Sequence, residues 1–335
     1  MTKQILLGHG SGGKLSHELI SETILPYFKN DELEKLGDAA VFKLGDNRVA
    51  FSTDSYVVDP IFFPGGDIGK LAICGTVNDL SMMGARPLYI SAGIILEEGL
   101  PLDVLEQILD SMRKMAEESG IQIITGDTKV VPHGAADKIF INTAGIGLVP
   151  PGIDINGDQA KPGDVVIING SIADHGITIM ASREGLEMDI DLKTDSAPLN
   201  NLVDDMLKSS NNIHVLRDPT RGGVATTLNE IASQSNVAIK LYEKNLPVSE
   251  KVQSVCEILG LDPLYIANEG KCLVICPESE SANVLMAMKN NKYGKDSKVI
   301  GEVIAEPRQK VFLETLIGGQ RIIDMLAGEQ LPRIC

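Results

Sequence analysis

Proline and glycine interrupt this chain most densely near its middle. Pro150-Pro151-Gly152, then Gly157, then Pro162-Gly163-Asp164 crowd one short stretch. Proline lacks the N–H that helices and sheets need, and glycine adds chain entropy, so no regular element is expected to run through such a segment. The 335-residue chain is long enough for a full core on either side. Two domains are therefore expected, over 38–150 and 151–327. They are flanked by a glycine-rich segment and helix over 1–37 and by a mobile tail over 328–335.

Both halves mix strand and helix signals, which predicts an α/β (α+β) protein of two domains. In the first half, apolar and β-branched runs at 48–53, 89–96, 121–125 and 139–147 read as strands. Leu102, Leu105, Leu109, Met112 and Ala116 step by three and four along one helical face. Pro101 precedes that helix and Gly120 follows it. A second helix is predicted over 67–83. In the second half, strands are predicted at 165–169, 237–241, 272–276, 298–303 and 310–314, and helices at 174–184, 198–211, 223–235 and 279–290. A faint echo links the halves. Gly65-Gly66 precedes a helix carrying Asn78-Asp79, and Gly222-Gly223 precedes one carrying Asn229-Glu230.

The balance is acidic, 46 Asp+Glu against 30 Lys+Arg, with no tryptophan. That argues against nucleic-acid and anionic-membrane partners. No apolar run is long enough for a membrane span, and no leader peptide is expected. The five cysteines lack disulfide-framework spacing, which fits the cytoplasm. Cys272 and Cys276 read as core packing.

Four features look chemical. Gly8-His9-Gly10-Ser11-Gly12-Gly13-Lys14 has the backbone freedom and the cation to cradle an anion. It has the G-x-x-x-x-G-K spacing, but Leu15 replaces the Ser or Thr that a P-loop needs for Mg²⁺. Isolated aspartates punctuate apolar runs at Asp38, Asp54, Asp79, Asp127 and Asp218, as hard-cation ligands would. Lys129 and Glu269 are candidate proton-transfer groups, with Arg221 and His175 behind them. The last residue is a cysteine, in Pro332-Arg333-Ile334-Cys335. Fully extended from Gly328, such a tail carries its sulfur roughly 20–25 Å, the reach of a swinging carrier. The adjoining terminal carboxylate is expected to hold the thiol at or above its usual pKa of about 8.5.

Taken together, these residues resemble the PurM-like ATP-binding superfamily. The string Asn78-Asp79-Leu80-Ser81-Met82-Met83-Gly84-Ala85-Arg86-Pro87 is specific to it. The closing Pro-Arg-Ile-Cys narrows the resemblance to the HypE family of carbamoyl dehydratases, nearly end to end. The resemblance implies two α/β domains and a homodimer paired through a β-barrel of N-terminal domains. It implies ATP and Mg²⁺ in the dimer cleft. His9, Gly10, Ser11, Gly12, Gly13, Lys14, Asp54, Asn78, Asp79 and Asp127 would contact the nucleotide. Asp38, Asp54, Asp79, Asp127 and Asp218 would lie near the metal. The carbamoyltransferase HypF would load Cys335, and Lys129 and Glu269 would move protons during dehydration to a thiocyanate. A HypC–HypD complex would receive the cyanide for [NiFe]-hydrogenase iron. Two other readings stay open: a selenophosphate synthetase-like enzyme of the same fold, and a non-catalytic scaffold whose Cys335 binds iron.

Overall fold

The computed structural model describes residues 4–183, 192–326 and 334–335. Strands β1 (Ala40–Leu44), β2 (Asn47–Tyr56), β3 (Arg86–Glu97), β4 (Gln122–Val131) and β5 (Ile139–Val149) form one sheet, ordered β1-β2-β5-β3-β4. Neighbours are antiparallel except β3 and β4. Those two are parallel because helix α2 (Leu102–Ser119) makes the crossover between them. The sheet is open within one chain.

The second sheet holds β6 (Asp164–Ile168), β7 (Val215–Arg217), β8 (Ala238–Tyr242), β9 (Leu273–Pro277), β10 (Lys298–Ile304), β11 (Lys310–Glu314) and β12 (Gln320–Ile323). Their order is β12-β11-β8-β10-β6-β9-β7. Before residue 150 the strands join the first sheet, apart from the short pair Phe62–Phe63 and Gly66–Asp67, which make a two-stranded sheet of their own; strands after 163 join the second.

The two halves share one apolar core. Ala50, Leu80, Met82 and Val149 pack with Ile167, Leu202, Met206, Leu216 and Val274. Helix α1 (Ile68–Met82) lies at this junction, against the first sheet, against α2 and against α4 (Asn200–Ser209). It is buried almost all round, which is why its sequence carries no polar stripe. Asp67 caps it, accepting from the Lys70 N–H at 3.0 Å. Gly75 lets the helix approach β2, because a Cβ there would fall 2.2 Å from the Tyr56 hydroxyl.

Further helices are α3 (Asp174–Arg183), α5 (Gly223–Gln234), α6 (Glu250–Leu259) and α7 (Glu278–Asn290), and short helices at Lys14–Glu18 and Leu25–Phe28 occupy the segment before Asp38, where a helix was expected. The end of the helix predicted over 174–184 falls outside the described residues.

The buried line of α2 is turned from the predicted one. Ile108, Met112, Ala116 and Ser119 face inward, while Leu102 and Leu109 are exposed. The reason is that α1 presses on the Ile108 side, leaving Leu109 over an open groove with Ile123 and Ile124.

The first sheet has helices on one face only. On the other, Phe51 pairs with Ile146 and Ile146 with Tyr89, and all three side chains are exposed. Edge strand β4 is exposed along nearly its whole length. An apolar, uncovered sheet face of this kind marks a protein contact surface. Cys272 and Cys276 are fully buried in the core, as expected. Among the described residues no helix is long and apolar enough to cross a membrane.

Candidate active site

A cleft of about 480 Å³ opens between the two halves. Six acids line it: Asp38, Asp54, Asp79, Asp218, Glu230 and Glu269. Different elements deliver them. Asp38 precedes β1, Asp54 lies on β2, and Asp79 projects from the junction helix α1. Asp218 follows the short strand β7, and Glu269 sits in the turn before β9.

Two arginines also line the cleft. Arg217 is buried between two carboxylates, with Nε 2.8 Å from Asp38 Oδ1 and Nη2 2.7 Å from Glu230 Oε2. His17 Nε2 closes the chain 2.8 Å from Glu230 Oε1. Arg221 donates from Nη1 to the Gly10 carbonyl at 3.2 Å.

The acids press on one another. Burial pushes Asp38 up to about 8 despite the pull of Arg217, with Asp218 and Glu230 adding to the rise. Burial also raises Asp218 to about 6. Asp79 is held well above the usual carboxylate range by burial, then by Asp218, Asp54 and Asp38. Glu269 is driven well up by burial, then by Asp195, Asp218 and Asp54. Asp54 is raised by burial against the pull of Arg221.

Such a set suits a divalent cation with oxygen ligands. Asp38 Oδ2 is buried without a hydrogen-bond partner. Asp79 uses one oxygen to accept from Ser52 Oγ at 2.6 Å. Among the described residues, however, no three His, Cys, Asp or Glu side chains close around one point. A Mg²⁺ ion here would take one or two carboxylates and fill its octahedron with phosphate oxygens and water.

A stability test follows. A carboxyl whose pKa is raised by folding weakens the fold as pH climbs from its unfolded value to its folded one. For Asp38 that window runs from about 4 to about 8. A Mg²⁺ ion bound with the nucleotide would offset these charges where it met them, so Mg-ATP is expected to raise the melting temperature more near pH 8 than near pH 5. An equal gain at both pH values would remove the carboxylates as its ligands.

The glycine-rich segment reaches the cleft only in part. His9 and Gly12 line it. Gly12 has φ 80°, and a Cβ there would fall 2.5 Å from Arg221 Cβ, so only glycine fits. Ser11 Oγ donates to the Gly8 carbonyl at 2.8 Å. Gly13 packs on Leu326, whose carbonyl accepts from the Lys14 N–H at 2.8 Å. The Lys14 side chain points elsewhere, 3.9 Å from Glu18 in solvent.

Three other candidates lie outside the lining. Asn78 is a buried clamp. Its Nδ2 donates to the carbonyls of Ala197 at 3.1 Å and Glu269 at 3.3 Å, and its Oδ1 accepts from the Leu199 N–H. Asp127 and Lys129 share one side of β4, as their spacing predicts, and pair at 2.7 Å. They border a separate groove with Asn142 and Ile94.

Cys335 does reach the cleft. Its thiol is half-buried, and burial pushes it up to about 12 despite Arg221. Of the tail placed at 328–335, residues 328–333 lie outside the described residues.

Arg217, Glu230, His17 and Tyr56 also line the cleft, and the sequence reading did not select them. One signal was available for Arg217. It ends the apolar run Val215-Leu216, and an arginine leaving a buried strand needs carboxylate partners.

Comparison with known proteins places this geometry in a family. Residues 36–149 match the family described as AIR synthase related protein, N-terminal domain, and residues 161–314 match its C-terminal domain. The chain is 51% identical over 327 residues to carbamoyl dehydratase HypE of Azotobacter vinelandii, covering 98% of this chain and 96% of that one. It is similar to the crystal structure of HypE in complex with ATP, with TM-score 0.84 and 52% identity over 99% of this chain and 100% of that one. A HypE–HypF complex structure matches with TM-score 0.88 and 48% identity over 92% and 99% of the two chains. Two AIR synthase-related domains, an acidic cleft between them and this level of identity place the chain in the HypE family of carbamoyl dehydratases.

Proposed function

We propose that this chain removes water from a carbamoyl group carried on Cys335, leaving a thiocyanate that supplies the cyanide ligands of [NiFe]-hydrogenase iron. One observation carries the reading: the thiol of Cys335 shares a cleft with Glu269, Arg221 and four aspartates. An ordinary ATP-binding site has no use for a thiol there.

Bound Mg-ATP would supply the phosphoryl group that turns the poor carbamoyl oxygen leaving group into phosphate. Summed, the S-carbamoyl group and ATP give the thiocyanate, ADP and inorganic phosphate. The residues then have separable tasks. One or two of Asp38, Asp54, Asp79 and Asp218 would hold a Mg²⁺ ion, and the others would keep its surroundings acidic. His9 and Gly12 would border the polyphosphate beside Arg221, with Gly10, Ser11, Gly13 and Lys14 in the same segment brought to it only if that segment closes over the nucleotide. Glu269 faces the sulfur's cargo and takes the amide protons in turn, one with each bond order gained between carbon and nitrogen, releasing the first to solvent before it accepts the second. Its raised pKa makes it a stronger base than an exposed carboxylate. The surrounding walls keep water from hydrolysing the activated group.

The apolar outer face of the first sheet pairs two subunits. Asp127 and Lys129 act across that interface on the other copy's nucleotide. The relative crystallised with HypF supports a carbamoyltransferase as the loading partner, and a HypC–HypD complex takes the product. The reaction belongs in the cytoplasm, where thiols stay reduced.

Intact-mass analysis tests it. Incubation with ATP, carbamoyl phosphate and the carbamoyltransferase should add one carbamoyl group and then remove one water, both localised to Cys335. An unmodified chain, or a modification on another residue, would overturn the proposal.

A further inference from the structure

Behind the acidic cleft lies a second buried polar cluster that the chemistry above does not use. His175, on the first turn of α3, is fully buried. Its Nδ1 lies 2.7 Å from Thr194 Oγ1, and its Nε2 lies 2.6 Å from the carbonyl oxygen of Ile334. The neighbouring contacts settle the proton. Thr194 Oγ1 already accepts from the Ser196 N–H at 3.1 Å. Its own hydrogen is therefore free to go to His175 Nδ1, and Nε2 carries the hydrogen that the Ile334 carbonyl accepts. Burial favours this neutral imidazole.

Ile334 is itself an anchor. Its side chain is 7% exposed and packs in the core of the first domain. One residue on, an oxygen of the Cys335 carboxylate accepts from the Val57 N–H at 3.1 Å. The end of the chain is thus fixed at three points: a buried aliphatic side chain, the Ile334 carbonyl and an oxygen of the Cys335 carboxylate. All three lie next to the sulfur.

The same wall holds the proposed base. Asp195, adjacent to Thr194, accepts from the Glu269 N–H at 3.0 Å and is itself held by Lys271 at 3.0 Å. Thr194 and Asp195 are neighbours in sequence, so one stretch of backbone sets the carrier's position through His175 and the base's position directly.

We propose that His175 is the positioning residue that docks the cargo-bearing tail, registering the Cys335 sulfur against Glu269 through the hydrogen bond from Nε2 to the Ile334 carbonyl. This deepens the proposed function and rests on it for its meaning. Its test does not need that function, because docking is read on the free thiol.

The experiment is the rate of iodoacetamide alkylation of Cys335 in the full chain, without nucleotide or partner, read by peptide mass. The other four cysteines are buried and serve as an internal control for unfolding. His175→Asn keeps a polar group near the Nδ1 position but cannot reach Ile334, and should speed Cys335 labelling about three- to tenfold. His175→Gln places its amide nitrogen near the Nε2 position and should label close to the wild-type rate. Thr194→Val removes the group that fixes the imidazole hydrogen and should label at an intermediate rate. It decides the matter if His175→Asn fails to fold. Unchanged Cys335 labelling in the folded asparagine or valine variant overturns the proposal, as does a glutamine variant as fast as asparagine. Should alkylation behave as expected while the mass test above finds no carbamoyl on Cys335, the docking stands and the dehydratase reading falls.

Discussion

Cys335→Ala is expected to fold, bind Mg-ATP with near wild-type affinity and form no thiocyanate at all. The change removes one sulfur from a half-buried site at the end of the chain, so its cost in stability is at most about 1 kcal/mol. The nucleotide's proposed ligands are untouched. The substrate, however, has lost its only attachment, and no amount of intact cleft restores it. The effect is therefore all-or-none on product and near zero on binding. ATP hydrolysis stimulated by the carbamoyltransferase and carbamoyl phosphate should vanish with it. A cyanated Cys335→Ala chain would sink the carrier idea. The docked thiol adds a constraint on loading. Burial holds it up to about 12, so in the cleft it is a poor nucleophile, since the thiolate is the reactive form. Loading is then expected on an undocked tail, and it should be faster in His175→Asn than in wild type.

The two-domain plan was legible because its signals are local. The breakers between Pro150 and Asp164 end one sheet and begin the next, since backbone chemistry alone stops an element there. Long strands such as β3 and β5 announce themselves by β-branched runs. Strands β1, β7 and β12 were not read, because each is short and takes its stability from neighbours rather than from its own residues; helix α6 was missed although Ser249 caps its start and Gly260 its end. The face of α2 was misjudged for the same reason. A stripe of leucines shows that a helix packs, but which side is covered depends on where α1 lies.

The site divides in the same way. Asp38, Asp54, Asp79, Asp218 and Glu269 were chosen singly, from strand ends and turns, and folding brings them into one cleft. Asp79 and Glu230, the acids of the faint sequence echo, both line that cleft, although they stand at different distances after their glycine pairs. Arg217 and His17 were missed because their meaning is relational. Arg217 matters through Asp38 and Glu230, which lie far from it in sequence. Asn78 illustrates the reverse error: a polar residue inside a specific motif turns out to be bonded to backbone at Ala197, Leu199 and Glu269. It shapes the loop that presents the base, a task no local pattern reveals. Asp127 and Lys129 pair with each other on β4 and lie outside the cleft of their own chain, at a separate groove.

Glu269→Gln supplies the second large effect, and it separates the two candidate bases. The variant keeps the shape of the side chain and the backbone bonds to Asp195 and Asn78. Carbamoyl loading should proceed, while dehydration slows about 10²- to 10⁴-fold, so a chain bearing the carbamoyl but not the nitrile accumulates in the mass spectrum. In wild type the base must be unprotonated, so dehydration should fall off as pH drops through the raised pKa of Glu269, well above the range of an ordinary glutamate. The glutamine chain should lose that limb of the profile. The empty variant should also be more stable than wild type at alkaline pH, because a buried carboxylate repelled by Asp195, Asp218 and Asp54 has been removed. Lys129→Ala removes a group outside the cleft of its own chain, so under the proposed pairing of two subunits its role is exercised on the other copy. Mixing Glu269→Gln with Lys129→Ala then becomes decisive. If Lys129 acts across the subunit interface, a mixed dimer holds two kinds of cleft. One has the carboxamide and lacks the partner's lysine, and the other has both native groups. Activity should exceed that of either variant alone. If both groups serve the same chain, every cleft in the mixture lacks one of them and no activity returns. Dehydration that runs normally in Glu269→Gln would remove Glu269 as the base outright.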